Sequence, residues 1–222
     1  STGFKNVAVL FHDSRIRKRC SIITDLDTAF IDTTPVAGES TAEAAYKQRC
    51  IAAQTSGAGR RIALDGFAAG NPWLSVSYAQ HTFEVDFVAA GNAEVVKKAV
   101  PEVYVSPGTI AAAEAELVSG DKSVCGRRIL TMADNQGKGW FAVLLSKQID
   151  HKTVLPEYIR EGIFFARRSL SKELFANIYG YRINCALAAG DIAEAVAQAV
   201  RDRVAAYRGG SLDLASLKAA LV

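Results

Sequence analysis

Residues 20–27 read Cys-Ser-Ile-Ile-Thr-Asp-Leu-Asp, and the fold turns on this stretch. Cys20–Thr24 is a compact apolar run with basic residues before it and Asp25 after it. Such a run predicts a buried strand, central in a parallel sheet. Parallel strands end at the crevice where α/β proteins place their sites. Asp25 and Asp27, two apart at that end, are therefore candidate functional residues. Their like charges repel without a counterion, and a divalent cation both relieves the repulsion and prefers carboxylate oxygens. The plainer alternative is that the two aspartates cap the turn after the strand.

Outward from this stretch, residues 4–11 (FKNVAVLF) have apolar spacing that fits either a helix or a buried strand. Residues 31–39 are rich in turn formers. Ser40-Thr41-Ala42-Glu43 has the pattern of a capping box and predicts a helix to about Gln54, followed by a loop over 57–70 that carries Arg60 and Arg61. Leu74, Val76 and Tyr78 alternate with serines, and Phe83, Val85 and Phe87 alternate with Glu84 and Asp86. Period-two patterning predicts strands there. A helix is expected over 107–118, with Ser106 as N-cap, Pro107 in the first turn and Gly120 as the stop. Residues 128–132 (RILTM) read as a short strand, and Gly137-Lys138-Gly139 leads into a further helix. Four more helices are predicted over 155–168, 171–188, 191–207 and 211–221, the last capped by Ser211 after the Gly209-Gly210 break. The order predicts an α/β unit with a helical appendage.

Half of the 222 residues are hydrophobic and 22% are charged, which is ordinary globular composition and excludes a disordered or fibrous chain. The net charge of +3 permits a polyanionic partner without requiring one. The densest basic cluster is Arg15, Arg17, Lys18 and Arg19, either a solvated strand edge or a phosphate-binding patch. Cys20, Cys50, Cys125 and Cys185 are scattered, with no zinc spacing, and Cys20 and Cys185 read as small buried hydrophobes; reduced thiols and a cytoplasmic location are expected. No apolar run approaches the length of a membrane span. The opening Ser-Thr-Gly, without an initiator Met, suggests a piece of a longer protein.

Glu84 and Asp86 add acidic groups at a second strand end. If the strand runs through Asp86, both carboxylates share one face; if a helix begins there, they diverge by about 200° and only one can join the site. Lys138 lies between glycines ahead of a helix, where backbone can approach an anion and an ammonium can meet a phosphate. The spacing of a P-loop is absent. His81 precedes the acidic segment and either reaches the site or, the plainer reading, stands there incidentally. The set Asp25, Asp27, Glu84 and Lys138 suits phosphoryl chemistry assisted by two cations.

These residues resemble the Toprim domain of the OLD (overcoming lysogenization defect) family of nucleases, in particular its class 2. The resemblance is carried by residues 22–29 (IITDLDTA), 82–92 (TFEVDFVAAGN), 137–150 (GKGWFAVLLSKQID) and 155–159 (LPEYI), in the family's order, and covers roughly residues 20–165. It implies a Toprim-like, mostly parallel sheet flanked by helices, built from residues 1–32 and 73–150. Helical insertions at 33–72 and 93–120 and a C-terminal helical domain at 151–222 complete the expected organisation. It further implies two-metal cleavage of DNA with Mg2+ or Mn2+. Asp25, Asp27 and Glu84 are then metal ligands, Thr82 and Asp86 accessory ones, and Lys138 the active-site lysine beside the catalytic carboxylates. An upstream ATP-binding ATPase domain would form the homodimer. The family's first acidic residue, a Glu on the opening Toprim strand, has no match in residues 1–24. Either that strand lies upstream of residue 1, or the two-metal set is incomplete.

Two rivals from other classes stand beside this reading. IITDLDTAF also resembles the nucleophile motif of haloacid-dehalogenase-like phosphatases, with Asp25 attacking phosphate and Asp27 as acid/base. Ala29 stands where that motif carries Thr, and Gly190-Asp191 lacks the later Asp. The other rival is a non-catalytic DNA-binding or oligomerisation module.

Overall fold

The computed structural model describes residues 2–167 and 171–219. The element order is α1 (Thr2–Ala8), β1 (Cys20–Asp25), α2 (Thr41–Ala68), β2 (Leu74–Ala79), α3 (Phe83–Phe87), a π-helical turn (Val88–Asn92), α4 (Ala93–Lys97), α5 (Val100–Val103), α6 (Pro107–Leu117), α7 (Lys122–Gln136), α8 (Lys138–Ser146), α9 (Glu157–Arg167), α10 (Lys172–Ala188), α11 (Glu194–Gly209) and α12 (Leu214–Ala219). The chain divides into two compact units, Ser1–Ala166 and Arg167–Val222. The class is α/β, mostly helical, with a small parallel sheet.

In the first unit β1 and β2 pair in parallel from Cys20 opposite Leu74 to Asp25 opposite Ala79. The helix α2 crosses between them, as a parallel pair requires. Ala8, Ile22, Leu64 and Leu74 form the core under the sheet, joined by Phe11, Phe67 and Val76. A larger core gathers Val85, Val96, Val100, Leu117, Ile129, Met132 and Phe141 from the helices that follow β2. In the second unit Ala176, Val204, Tyr207 and Leu217 pack α10, α11 and α12 together.

The strands at 20–25 and 74–79 form as expected, but the sheet among the described residues has two strands, so β1 is not central. Of its six residues only Ile22 is buried. Residues 4–8 resolve as helix. The helix capped by Ser40, whose Oγ accepts from Glu43 N–H, does not stop near Gln54 but continues to Ala68. The glycines at 57, 59 and 66 read as loop signals, yet Gly57 is buried in the helix as a contact residue. Residues 83–87 are helical rather than extended: five alternating residues fit both periods, and packing of Val85 and Phe87 against Ile129 and Met132 selects the helix. Residues 128–132 lie inside α7, which Asp121 starts by accepting from Ser123 N–H. Ser211 does not cap the last helix; Asp213 accepts from Ser216 N–H at 2.7 Å instead. Cys20 and Cys185 are only half-buried, and all four thiols are free. The predicted ends at 168 and 220–221 lie outside the described residues.

One buried side chain fixes the approach to α9. Asn92 donates to the carbonyls of Phe87 (2.9 Å) and Val154 (2.8 Å) and accepts from Val154 N–H at 2.7 Å. Burying an amide with both its groups satisfied staples the 150s to the π-helical turn and so sets where Tyr158 falls.

Candidate active site at the strand ends

Asp25 is the last residue of β1. Beyond it the chain stays tied to the extension of β2, with Leu26 N–H donating to Ala79 and Thr28 N–H to Gln80. Asp27 has φ of 52°, in the left-handed region that a short polar side chain tolerates. The helix α2 lies directly against this turn. A Cβ at Gly57 would overlap the Leu26 carbonyl, so the approach requires glycine. One turn further on, Arg60 reaches over the turn. Its Nη2 lies 2.7 Å from Asp27 Oδ2, 3.3 Å from Asp25 Oδ1 and 2.8 Å from the Asp25 carbonyl, which also accepts from Nε at 3.2 Å. Ala29 N–H donates to Gln54 Oε1, a second tie from the same helix. Both aspartates thus face one guanidinium. Burial first, then the Asp27 charge, raises the Asp25 pKa, Glu84 adds to the rise, and Arg60 only partly offsets it. The site carries more negative charge than its arginine answers.

Glu84 comes from the helix that Thr82 begins. Its carboxylate is largely buried and forms an ion pair at 3.6 Å with Lys138 Nζ, which is 60% exposed. Lys138 is the first residue of α8, placed by Gly137 at φ 77°. Because α3 is helical, Asp86 diverges from Glu84 as the helix alternative required. Its Oδ2 accepts from His81 N–H at 3.1 Å. His81 is buried, its Nδ1 2.7 Å from the Thr28 carbonyl, which assigns the proton to Nδ1. Its Nε2 then faces Lys122 Nζ at 3.4 Å. Thr82 Oγ1 is buried without a hydrogen-bond partner.

Tyr158 of α9 sits where the carboxylates meet. Burial, then the charges of Asp86, Asp25 and Glu84, push its phenol up to about 12. It lines a cavity of about 320 Å³ shared with Asp25 and Phe83, and another of about 410 Å³ shared with Asp86 and Lys122. The structure therefore joins Asp25 to Asp27 through Arg60 and pairs Glu84 with Lys138, with the Glu84 charge acting on Asp25, and sets Asp86 on the His81 backbone.

The donors are carboxylate oxygens, the chemistry a hard divalent cation takes. Among the described residues, however, no three His, Cys, Asp or Glu side chains are arranged as a ready ligand shell. The Asp25–Asp27 pair fits a cation in charge and atom type, while its present geometry is set by the Arg60 guanidinium.

Sequence reasoning missed Arg60, Lys122 and Tyr158 as site residues. The sequence predicts a loop at Arg60, and only the continuation of α2 through Gly57, three residues before it, aims it at the aspartates. The basic run at 15–19 is used locally: Arg17 donates to the Asp13 carbonyl, and the Arg19 guanidinium lies 5.0 Å from the Phe165 ring centroid. No helix among the described residues is long and apolar enough to cross a membrane. No protein-family model, curated protein or solved structure matches this chain.

Proposed function

We propose that this chain is the Toprim-like nuclease region of an OLD-family ATPase–nuclease, cleaving DNA phosphodiesters with divalent metal. One observation supports the reading: Asp25 and Asp27 share one guanidinium at the end of β1 with negative charge left over, and the charge of Glu84, which pairs with Lys138, acts on Asp25. Asp25 and Asp27, with Glu84, would hold Mg2+ or Mn2+, with Thr82 and Asp86 as accessory ligands. The bound cations would supply Lewis-acid stabilisation and an activated water. Arg60 orients the two aspartates through their shared turn. Lys138 is exposed and held only by a 3.6 Å ion pair, so its ammonium is free to leave Glu84 for a scissile phosphate and offset charge there. Tyr158 lines the cavities that hold Asp25 and Asp86 and would offer a protonated phenol there. DNA is the partner this set suits, and an upstream ATPase domain the one the resemblance implies.

The test is supercoiled plasmid incubated with the protein in Mg2+ or Mn2+, beside calorimetric titration with Mn2+ alone. Metal-dependent nicking or cutting that Asp27→Ala abolishes, together with loss of Mn2+ binding, is the expected result. Hydrolysis of a small phosphomonoester with plasmid left intact would establish the phosphatase instead, and neither activity would leave a binding module.

A further inference from the structure

The Asp27 turn also borders a cavity of about 220 Å³. Its walls are the turn itself through Phe30, the face of α2 carrying Tyr46, Arg49 and Ala53, and Thr82 and Leu130. The lining is largely apolar, with polar groups at definite places. Thr82 Oγ1 is buried without a partner. The Arg49 guanidinium lies 5.7 Å from the Tyr46 ring centroid. Asp27 borders both this cavity and the acidic site. The aromatic walls are rigid. Phe30 packs edge-on to His81 at 6.2 Å and fills the space a Cβ at Gly126 would need. Tyr46 is held by the Arg127 guanidinium 4.5 Å from its ring centroid, and Arg127 is anchored on Glu43.

An aromatic occupant matches a largely apolar lining that carries Phe30, Tyr46 and one guanidinium, and Asp27 places it next to the acidic site. We propose that the cavity receives an unstacked nucleobase of the DNA strand whose phosphate lies at the acidic site. The base would lie against Phe30, Tyr46 and the Arg49 guanidinium. Aromatic and guanidinium faces accept any base without reading sequence, and an enzyme that extrudes a base selects sites where unpairing is easy. The inference rests on the nuclease reading and adds to it a preference for single-stranded or unpaired DNA at the cut.

The test measures affinity for a single-stranded oligonucleotide in Ca2+, by fluorescence anisotropy, with an abasic position moved one nucleotide at a time along the strand. Loss of one base should weaken binding about tenfold at a single position and little elsewhere. Ala53→Phe, which fills the cavity, should weaken binding by a similar factor and make the abasic scan flat, while Mn2+ titration and Tm stay as in the wild type. If Ala53→Phe lowers Tm, Ala53→Leu serves in its place. A flat scan in the wild type, with the oligonucleotide bound and plasmid still cleaved, overturns the base pocket and leaves the nuclease intact. Absence of oligonucleotide binding together with absence of cleavage overturns both.

Discussion

The two halves of the acidic site are built on opposite principles. The Asp25–Asp27 turn is gripped: a helix lies against its backbone at Gly57, one arginine bonds both carboxylates and a carbonyl, and a glutamine holds the turn's far end. The Glu84–Lys138 half is loose: one ion pair at 3.6 Å, with the lysine largely in solvent. The first half has its geometry fixed before anything binds, which lowers the reorganisation that binding must supply. The second can respond, because a long ion pair whose lysine lies largely in solvent breaks readily.

Substitutions separate the two halves. Gly57→Ala should act most broadly, since its methyl group has no space beside Leu26. Destabilisation of about 3 kcal/mol is expected from overpacking against backbone, measured by urea unfolding, along with loss of plasmid cleavage. Full stability in this variant would mean that the helix does not grip the turn. Asp27→Asn should leave unfolding nearly unchanged and cut kcat by about 10²–10³; a wild-type rate in the folded variant would remove Asp27 from the chemistry. Lys138→Ala should lower the cleavage rate at saturating DNA by about a hundredfold, with DNA affinity in Ca2+ nearly constant. If affinity falls and the rate does not, the loose half is only a tether.

The smallest effect is on stability and its pH dependence. Asp25 has a raised pKa in the folded chain, so its protonated form favours folding, and its ionised form costs stability at neutral pH. Asp25→Asn should therefore raise Tm slightly at pH 7. The gain should fade as pH falls through the raised pKa and vanish below the ordinary carboxylate value of about 3.9. A stabilising substitution at a functional carboxylate is what a strained site predicts; a Tm drop at pH 7 would show that the bond to Arg60 outweighs burial and repulsion.

Much of the local structure was legible. The Ser40 cap, the apolar run ending at Asp25, the serine alternation over 74–78 and Gly137 each carry a local physical signal that the fold obeys. Residues 83–87 were not legible, because five alternating residues satisfy both helix and strand and only packing against α7 decides between them. RILTM failed for the same reason: a short apolar run has no period of its own, and the Asp121 cap seven residues earlier sets the helix.

What the sequence by itself determined is the pairing of an apolar strand with Asp25 and Asp27 at its end, and the choice of Glu84 and Lys138 as further charged candidates. Those follow from residue type and short-range order. What only the tertiary structure decided is which groups face one another: that Arg60 clamps both aspartates, that Asp86 turns to the His81 backbone, and that Tyr158 stands among three carboxylates. Each depends on contacts between residues 5 to 133 positions apart. Glycine is the clearest case. Its missing side chain reads locally as freedom to turn, and only a neighbouring backbone, here Leu26 against Gly57, shows that its role is to leave room.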